Sequence, residues 1–485
     1  MLRRLQPEKW NYTTAAHLLN RAGFGGTPEQ LQRLTDLGLE KAVNFLVDFE
    51  RIPDSTQNPE WAKPDPERLE KLKEMRDASP EMKQEARKDQ QRLERDLVLR
   101  LRYWWLQQMA TTSRQLQEKL ALFWHGHFAT SVQKVKNAYL MFRQNEIFRR
   151  YGSGNWLTLL TYASKDPAML VWLDQAQSRK EHPNENFARE VMELFTLGEG
   201  HYTEKDITEA ARALTGWSYE RLNQGFVYRP GAHDDGKKTI LGRTGNFSGD
   251  DVLRIIIQQP QSARFITRKL WVFFASENPP DALIDQLAAL FRASGYEFKP
   301  LLRALFACEE FYAPDVMRQQ VKSPVQWLIS NVRMLERELP PAVACVNALR
   351  MLGQELLAPP NVKGWDGGLS WVTTNSLMNR YNFATFLVLG ENPLNNGNGS
   401  ANANGPRRMP LHGSHADAAR LFPRETRAVK EKLAAALQKR FLQGELRPEH
   451  QSTLRTYLEA QGELDDVDVL HAIRLIMCTP EFQLT

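Results

Sequence analysis

Cysteine is nearly absent: Cys308, Cys345 and Cys478 are the only three in 485 residues. They are too few and too scattered for a disulfide framework, and none forms the Cys-x-x-Cys pair of zinc or thioredoxin-like sites. A reducing compartment is the expectation. Long apolar runs are missing too, and no window approaches the roughly twenty apolar residues that a spanning helix needs. The start, MLRRLQPEKWNYTTAAHLL, reaches Glu8 and Lys9 before any apolar stretch, so it lacks the core of a signal peptide. The expected location is cytoplasmic, or exported if a leader has been removed. Neither sign of charge dominates: 63 basic and 58 acidic residues leave a net charge of +5, and interleaved charges of this kind argue against nucleic acid. Absent as well are a Walker loop, a Gly-x-Ser-x-Gly elbow, a His-Glu-x-x-His pair and a dinucleotide-binding fingerprint, so several large enzyme classes drop out.

What remains is ordinary globular composition, 42% apolar and 25% charged, written mostly in helical periods. Thr13 reads as an N-cap for a helix that GFGG at 23–26 stops, and Thr27-Pro28 opens the next. Residues 66–112 read as a helix pair broken near Ser79-Pro80. Further helices are predicted at 114–125, 137–150, 155–163, 184–197, 204–215, within 250–336, and at 373–388, 425–442, 447–461 and 466–478. Between 219 and 249 the texture changes. Phe226–Arg229 and Lys238–Leu241, separated by Pro, Gly and Asp, read as one small β-hairpin. The fold class expected is therefore mainly α, a multi-helical array with one hairpin insertion. The predicted organisation is a main helical unit over 1–390, a flexible Asn/Gly-rich linker or loop at 391–413, and a short helical unit at 414–485 packing on the first.

Three segments could carry chemistry. The densest is PNENFAREVMELFTLGEGHYTEKDITEAARALTGW, residues 183–217. At about 100° per residue Phe187, Val191, Leu194 and Phe195 share one arc, and Glu185, Asn186, Arg189, Glu190 and Glu193 the other. Glu185, Arg189 and Glu193 then form an acid-base-acid ladder at i, i+4 and i+8. Either the ladder is a solvated salt-bridge face, or it lines a cleft in which Arg189 orients, Glu190 or Glu193 is base or ligand, and Asn184, Glu185 and Asn186 hold substrate. Leu197 within the polar arc favours a covered face. Thr203 with Asp206 at N3 caps the next helix, and Glu204, Asp206, Glu209 and Arg212 are cap and surface charges or site residues.

The second segment is Trp124-His125-Gly126-His127-Phe128. Histidines two apart diverge on a continuous helix and chelate one ion only on an extended stretch. A metal site here would join His125 and His127 to Asp174, Glu190 or Glu193, a mixed nitrogen and oxygen set suited to zinc, manganese or iron. His127 is otherwise an acid/base candidate, or both histidines are structural. The third is His233-Asp234-Asp235-Gly236, which is ordinary turn chemistry or a substrate contact, and lacks the spacing of an EF-hand loop. The twelve tryptophans, many at helical spacing, read as core more readily than as sugar-stacking platforms.

The stretches HLLNRAGFGGTP at 17–28, LFWHGHFATS at 122–131, the block at 172–217, HDDGKKTILGRTGNF at 233–247 and PPNVKGWDGGLSW at 359–371 together resemble the domain-of-unknown-function 1800 family. The resemblance covers most of residues 13–388 and the last unit only loosely. It implies a mostly helical fold and supplies no catalytic residues. It puts weight on His125, His127, Asp174, Asn184, Glu185, Asn186, Arg189, Glu190, Glu193, Glu204, Asp206, Trp217, His233, Asp234 and Trp365, with Trp217, His233, Asp234 and Trp365 as further substrate-contact candidates. It also implies a partner, a sulfatase-like protein encoded nearby. Two functions stand open: a metal-assisted hydrolase or group-transfer enzyme on a polar substrate such as a glycan, and a non-catalytic helical scaffold or chaperone-like partner of the sulfatase-like protein.

Overall fold

The computed structural model describes residues 2–54, 56–63, 67, 70, 73–74, 78–220, 224–390 and 415–485. The expected linker at 391–413 lies outside the described residues, as does most of the first helix of the 66–112 pair. The chain is mainly α, and among the described residues no helix is long and apolar enough to cross a membrane.

The first helices are α1 (Tyr12–Ala22), α2 (Pro28–Leu37) and α3 (Leu39–Val47). The cap of α1 is Asn11 rather than Thr13: its side chain accepts from the amides of Thr13 and Thr14, and Thr14 bonds back. A cap two residues earlier satisfies two amides at once, which Thr13 cannot do from inside the helix. Helix α4 (Pro80–Thr111) starts at the Ser79 cap and leads into α5 (Gln115–His127). Then follow α6 (Val132–Val135), α7 (Ala138–Tyr151), α8 (Trp156–Ser164), α9 (Pro167–Trp172) and α10 (Glu185–Glu190). Helix α10 widens into a π-helix over Val191–Leu197, and α11 (Glu204–Ala213) opens with the expected Thr203–Asp206 capping box.

The expected single hairpin is instead two. Strand β1 (Trp217–Tyr219) pairs with β2 (Phe226–Tyr228), and β3 (Lys238–Ile240) with β4 (Arg243–Gly245). Both anticipated strands exist, but each takes another neighbour. The segment between them is used up by a 3-10 turn at Pro230–Ala232 and by an ion pair from Asp234 to Arg212. Leu241 and Gly242, both at positive φ, make the two-residue turn that twists β3 back onto β4.

Helices α12 (Gly249–Ile257), α13 (Pro260–Phe274), α14 (Asp281–Ala293), α15 (Phe298–Ala307), α16 (Pro324–Met334), α17 (Ala342–Met351) and α18 (Thr374–Leu389) complete this part. After residue 414 come α19 (Ala418–Leu421), α20 (Arg424–Arg427), α21 (Lys430–Leu437), α22 (Pro448–Ala460) and α23 (Asp466–Met477). Helix α23 packs on α18, and Gln443 bonds the side chain of Asn20 and the carbonyl of Gly26. One connected set of buried apolar side chains runs from Leu5 to Phe482.

Helix α5 is the hub. Every residue in it except Gly126 is buried, its polar ones included. A buried polar group must find a partner, and each of these finds one on a different segment. Gln115 accepts from the Phe24 amide, Gln117 donates to the Arg149 carbonyl, and Glu118 takes both Arg149 (2.7 Å) and the Trp105 indole N–H. Lys119 donates to Gln326, His125 accepts from the Leu357 amide, and His127 donates to the Phe195 carbonyl. The helix thus fixes the positions of α1, α4, α7, α16, the π-helix and the loop at 355–371.

Candidate functional site

The block at 183–217 does not make an intrahelical ladder. Arg189 turns to α11 and holds Glu204 through two bonds of 2.8 and 2.7 Å. Glu185 accepts from Thr208 Oγ1 (2.9 Å), and Glu193 accepts from the Tyr202 hydroxyl. The carboxyl of Glu190, half-buried, is pushed up by burial and then by the charge of Glu193. Asn184 caps α10 and donates to the Leu173 carbonyl, while Asn186 is exposed. On the α11 side Asp206 accepts from the Leu241 amide, Glu209 from the Thr239 amide, and Arg212 clasps Asp234. These charges join α10, α11 and the β3–β4 hairpin, largely at the surface: Glu204 is 75% exposed.

The π-helix explains the covered position of Leu197. Its wider turn shifts the register assumed at 100° per residue, so Leu197 falls into the core. It also leaves carbonyls at the helix end to be satisfied from outside. His127 takes that of Phe195 (3.0 Å) and Gln261 that of Leu197 (3.0 Å). The histidine motif and the acidic block are therefore joined by a backbone contact.

The proposed metal donors are not brought together. The Phe195 carbonyl can only accept, so His127 carries its proton on Nε2 and presents an unprotonated Nδ1; burial holds its pKa down to about 3. His125 has the opposite tautomer, because its Nε2 accepts from the Leu357 amide (3.0 Å). Its pKa is likewise about 3, lowered by burial and then by Arg102. Asp174 is 63% exposed and paired with Lys134, and Glu190 lies on α10. Among the described residues no three His, Cys, Asp or Glu side chains stand close enough to hold a metal ion. The helical geometry of His125-Gly126-His127 is the reason: the two rings leave α5 in different directions.

Trp217 is buried in β1 edge-on to Phe226, with Lys165 over its ring. His233 is buried beneath Tyr228 and bonds the Thr215 carbonyl, and Asp234 accepts from the Gly236 amide in the turn that its sequence suggests. Trp365 and His127 are placed differently. Both line a cavity of about 310 Å³ bounded by α5, the ends of α13 and of the π-helix, and the loop at 363–371. Lys119, Phe123, Lys269, Phe273, Glu277, Gln326 and Trp371 are also in its wall.

Four of the five sequence stretches meet here. LFWHGHFATS supplies Leu122, Phe123, Gly126 and His127, the middle of the central block supplies Leu194, and the 359–371 loop supplies Lys363, Trp365 through Leu369, and Trp371. HLLNRAGFGGTP contributes from behind: the Phe24 ring lies 5.1 Å from Lys119 Nζ, and the Asn20 carbonyl accepts from Gln326. The loop needs its glycines. Gly364 sits at φ +87°, and a Cβ there would collide with the carbonyl oxygen of Gly126. A side chain on Gly368 would strike the Glu277 carboxylate.

Lys119 is the chemically distinctive group. It is 2% exposed, lies between the rings of Phe24 and Phe273, and donates to Gln326 Oε1 at 2.6 Å. The Gln326 amide is oriented by its own N–H bond to Asn20, which leaves Oε1 for the lysine. Among the described residues no carboxylate pairs with Lys119. Burying an ammonium costs several kcal/mol, more than the ~1–2 kcal/mol that ring contacts return. Its pKa is accordingly held well below the lysine range, by burial first and then by Arg21. Lys269, in the same wall, is exposed and lies over Phe265, and its pKa is lowered by desolvation and by Lys363. Lys363 itself pairs with Asp366 (3.2 Å).

Sequence reasoning missed Lys119, Lys269, Glu277 and Gln326. The signal for Lys119 was present: 119, 122, 123, 126 and 127 form one i, i+3, i+4, i+7, i+8 stripe along α5.

No protein with curated annotation and no solved structure matches this chain. Residues 17–484 match the family described as protein of unknown function (DUF1800), and the chain belongs to that family.

Proposed function

We propose that this chain is an enzyme for one small polar molecule, that the cavity beside α5 receives it, and that Lys119 is the reacting amine. The observation that carries this reading is a buried lysine in a cavity wall with a single neutral protein partner. Burial favours the unprotonated form of such an amine, the form that can take a proton from, or attack, a bound molecule. The rest of the wall suits a polar ligand. Phe123, Phe273, Trp365 and Trp371 give apolar faces, while Lys269 and Glu277 offer a cation and a carboxylate. The volume is at the small end for ligand sites, the size of a single sugar ring or a short acid. The acidic block acts here as support, holding the π-helix whose carbonyl fixes His127. A metal-assisted version would need His125 to give up Leu357 and Asp174 to leave the surface.

Soaking crystals with a library of small polar fragments tests this. Fragments should collect between Lys119 and Trp365, and their affinity should fall at least about tenfold in Lys119→Met and in Trp365→Ala, as expected for loss of a central contact. Fragments that collect on the exposed face of α10 and α11, or affinities indifferent to both substitutions, would instead favour a chain that works by docking a protein partner.

A further inference from the structure

The wall around Lys119 also narrows the ligand class. Resting on the reading of the cavity as a small-molecule site, we propose that Lys119 is a nucleophile that condenses with an aldehyde or ketone bearing a carboxylate, so that the ligand is a small oxo acid held as an imine. Three features point there. Lys119 lines the cavity, and the partner of its Nζ is the Gln326 oxygen, which takes a proton and not the nitrogen lone pair. The amine sits between two phenylalanine rings, and apolar surroundings disfavour hydrolysis of an imine once formed. At the mouth, Lys269 has no carboxylate partner among the described residues, whereas Lys363 has Asp366. A ligand carboxylate on Lys269 would supply the missing counter-charge while its carbonyl reaches inward.

The step balances without a further reactant. The nitrogen lone pair forms the C–N bond as the carbonyl π pair moves to oxygen. Both amine protons pass to that oxygen, which departs as water, and the remaining nitrogen pair closes the C=N bond. Lys322 is a built-in comparison. It is also buried, with its pKa lowered to about 7 by burial and nearby arginines, but it donates to the Phe482 carbonyl and does not line this cavity.

The test is reductive trapping. The full chain is incubated at pH 7 with glyoxylate and cyanoborohydride, and the adduct is located by peptide mapping. The expected result is one carboxymethyl group on Lys119, formed at least about tenfold faster than on any other lysine, since ordinary lysines are almost wholly protonated at that pH. Lys269→Met should slow it about tenfold. Glycolate, which has the carboxylate but no carbonyl, should protect wild-type Lys119, a readout that does not depend on Lys119→Met folding. Label spread over surface lysines, or concentrated on Lys322, overturns the proposal. If saturation-transfer NMR places glycolate and glyoxylate in the cavity but no adduct is trapped, the imine is wrong and the small-molecule site stands. If neither ligand contacts the cavity and no adduct forms, both fall.

Discussion

Single residues in this chain matter through what they leave unpaired. Glu118 is wholly buried and is held by Arg149 and Trp105. Its carboxyl is pushed up by burial against the pull of Arg149. Arg149→Met should destabilise the fold by about 3–5 kcal/mol, because it strands the acid in the core, and Arg149→Met with Glu118→Gln should cost less. Urea unfolding of the three proteins measures this. Asp166, the cap of α9, is 1% exposed; it accepts from Gln144 and the Met169 amide, while its Oδ1 has no partner. Burial raises its pKa from 3.8 to about 7. Between those values the folded chain keeps a proton that the unfolded chain has released, so this group makes stability fall as pH rises from about 4 to 7 and adds no slope above. Asp166→Asn keeps an N-cap acceptor and should remove that component of the slope, which thermal melts across this range will show. The sequence does not show that either is buried. Burial of a charge depends on which distant segment covers it: Glu118 looks like any helical acid and Asp166 like any helix cap.

At the scale of elements much was legible. Caps such as Thr27-Pro28, Ser79-Pro80 and Thr203…Asp206 fix where helices begin, and the helices are there. The short helix α9 carried the same signature in Asp166-Pro167 and was overlooked among its longer neighbours. Periodicity holds as far as Phe195, with Val191, Met192 and Phe195 buried, and fails at Leu197, which the wider turn of the π-helix carries from the polar arc into the core. Strands of three residues carry too little pattern to name their partners, so both strands of the supposed hairpin were found and their pairing was not. The 359–371 loop offers Trp365 as a contact candidate in the sequence, but not the close approach of Gly364 to α5. Gly364→Ala should destabilise the chain by about 2 kcal/mol or more, combining a positive φ with a clash, and should close the cavity. Gly367→Ala, at φ +79° and ψ −168° with open space around it, should cost about 1–3 kcal/mol from backbone strain alone and leave the cavity open. Ligand binding, read beside chemical denaturation, separates the two.

In the whole molecule, helix α5 reaches segments from residue 24 to residue 357 through its buried polar side chains, and motifs far apart in the chain close on one cavity. That convergence cannot be read from spacing, because nothing local says that residue 126 will touch residue 364. The apolar core likewise runs on into the residues after 414. A chain ending at 390 would expose the face of α18 that α23 covers and lose the Gln483 contact of Arg380. It should lose near-ultraviolet circular dichroism while keeping much of its helix signal. The most direct test of the account is the protonation state of the amine at its centre, followed by NMR of lysine Nζ in the ¹⁵N-labelled chain. Lys119 should give the signal of a neutral amine at pH 7, and that signal should shift when a cavity ligand is added. An ammonium signal at pH 7, unmoved by any molecule that enters the cavity, would contradict its role as the reacting amine.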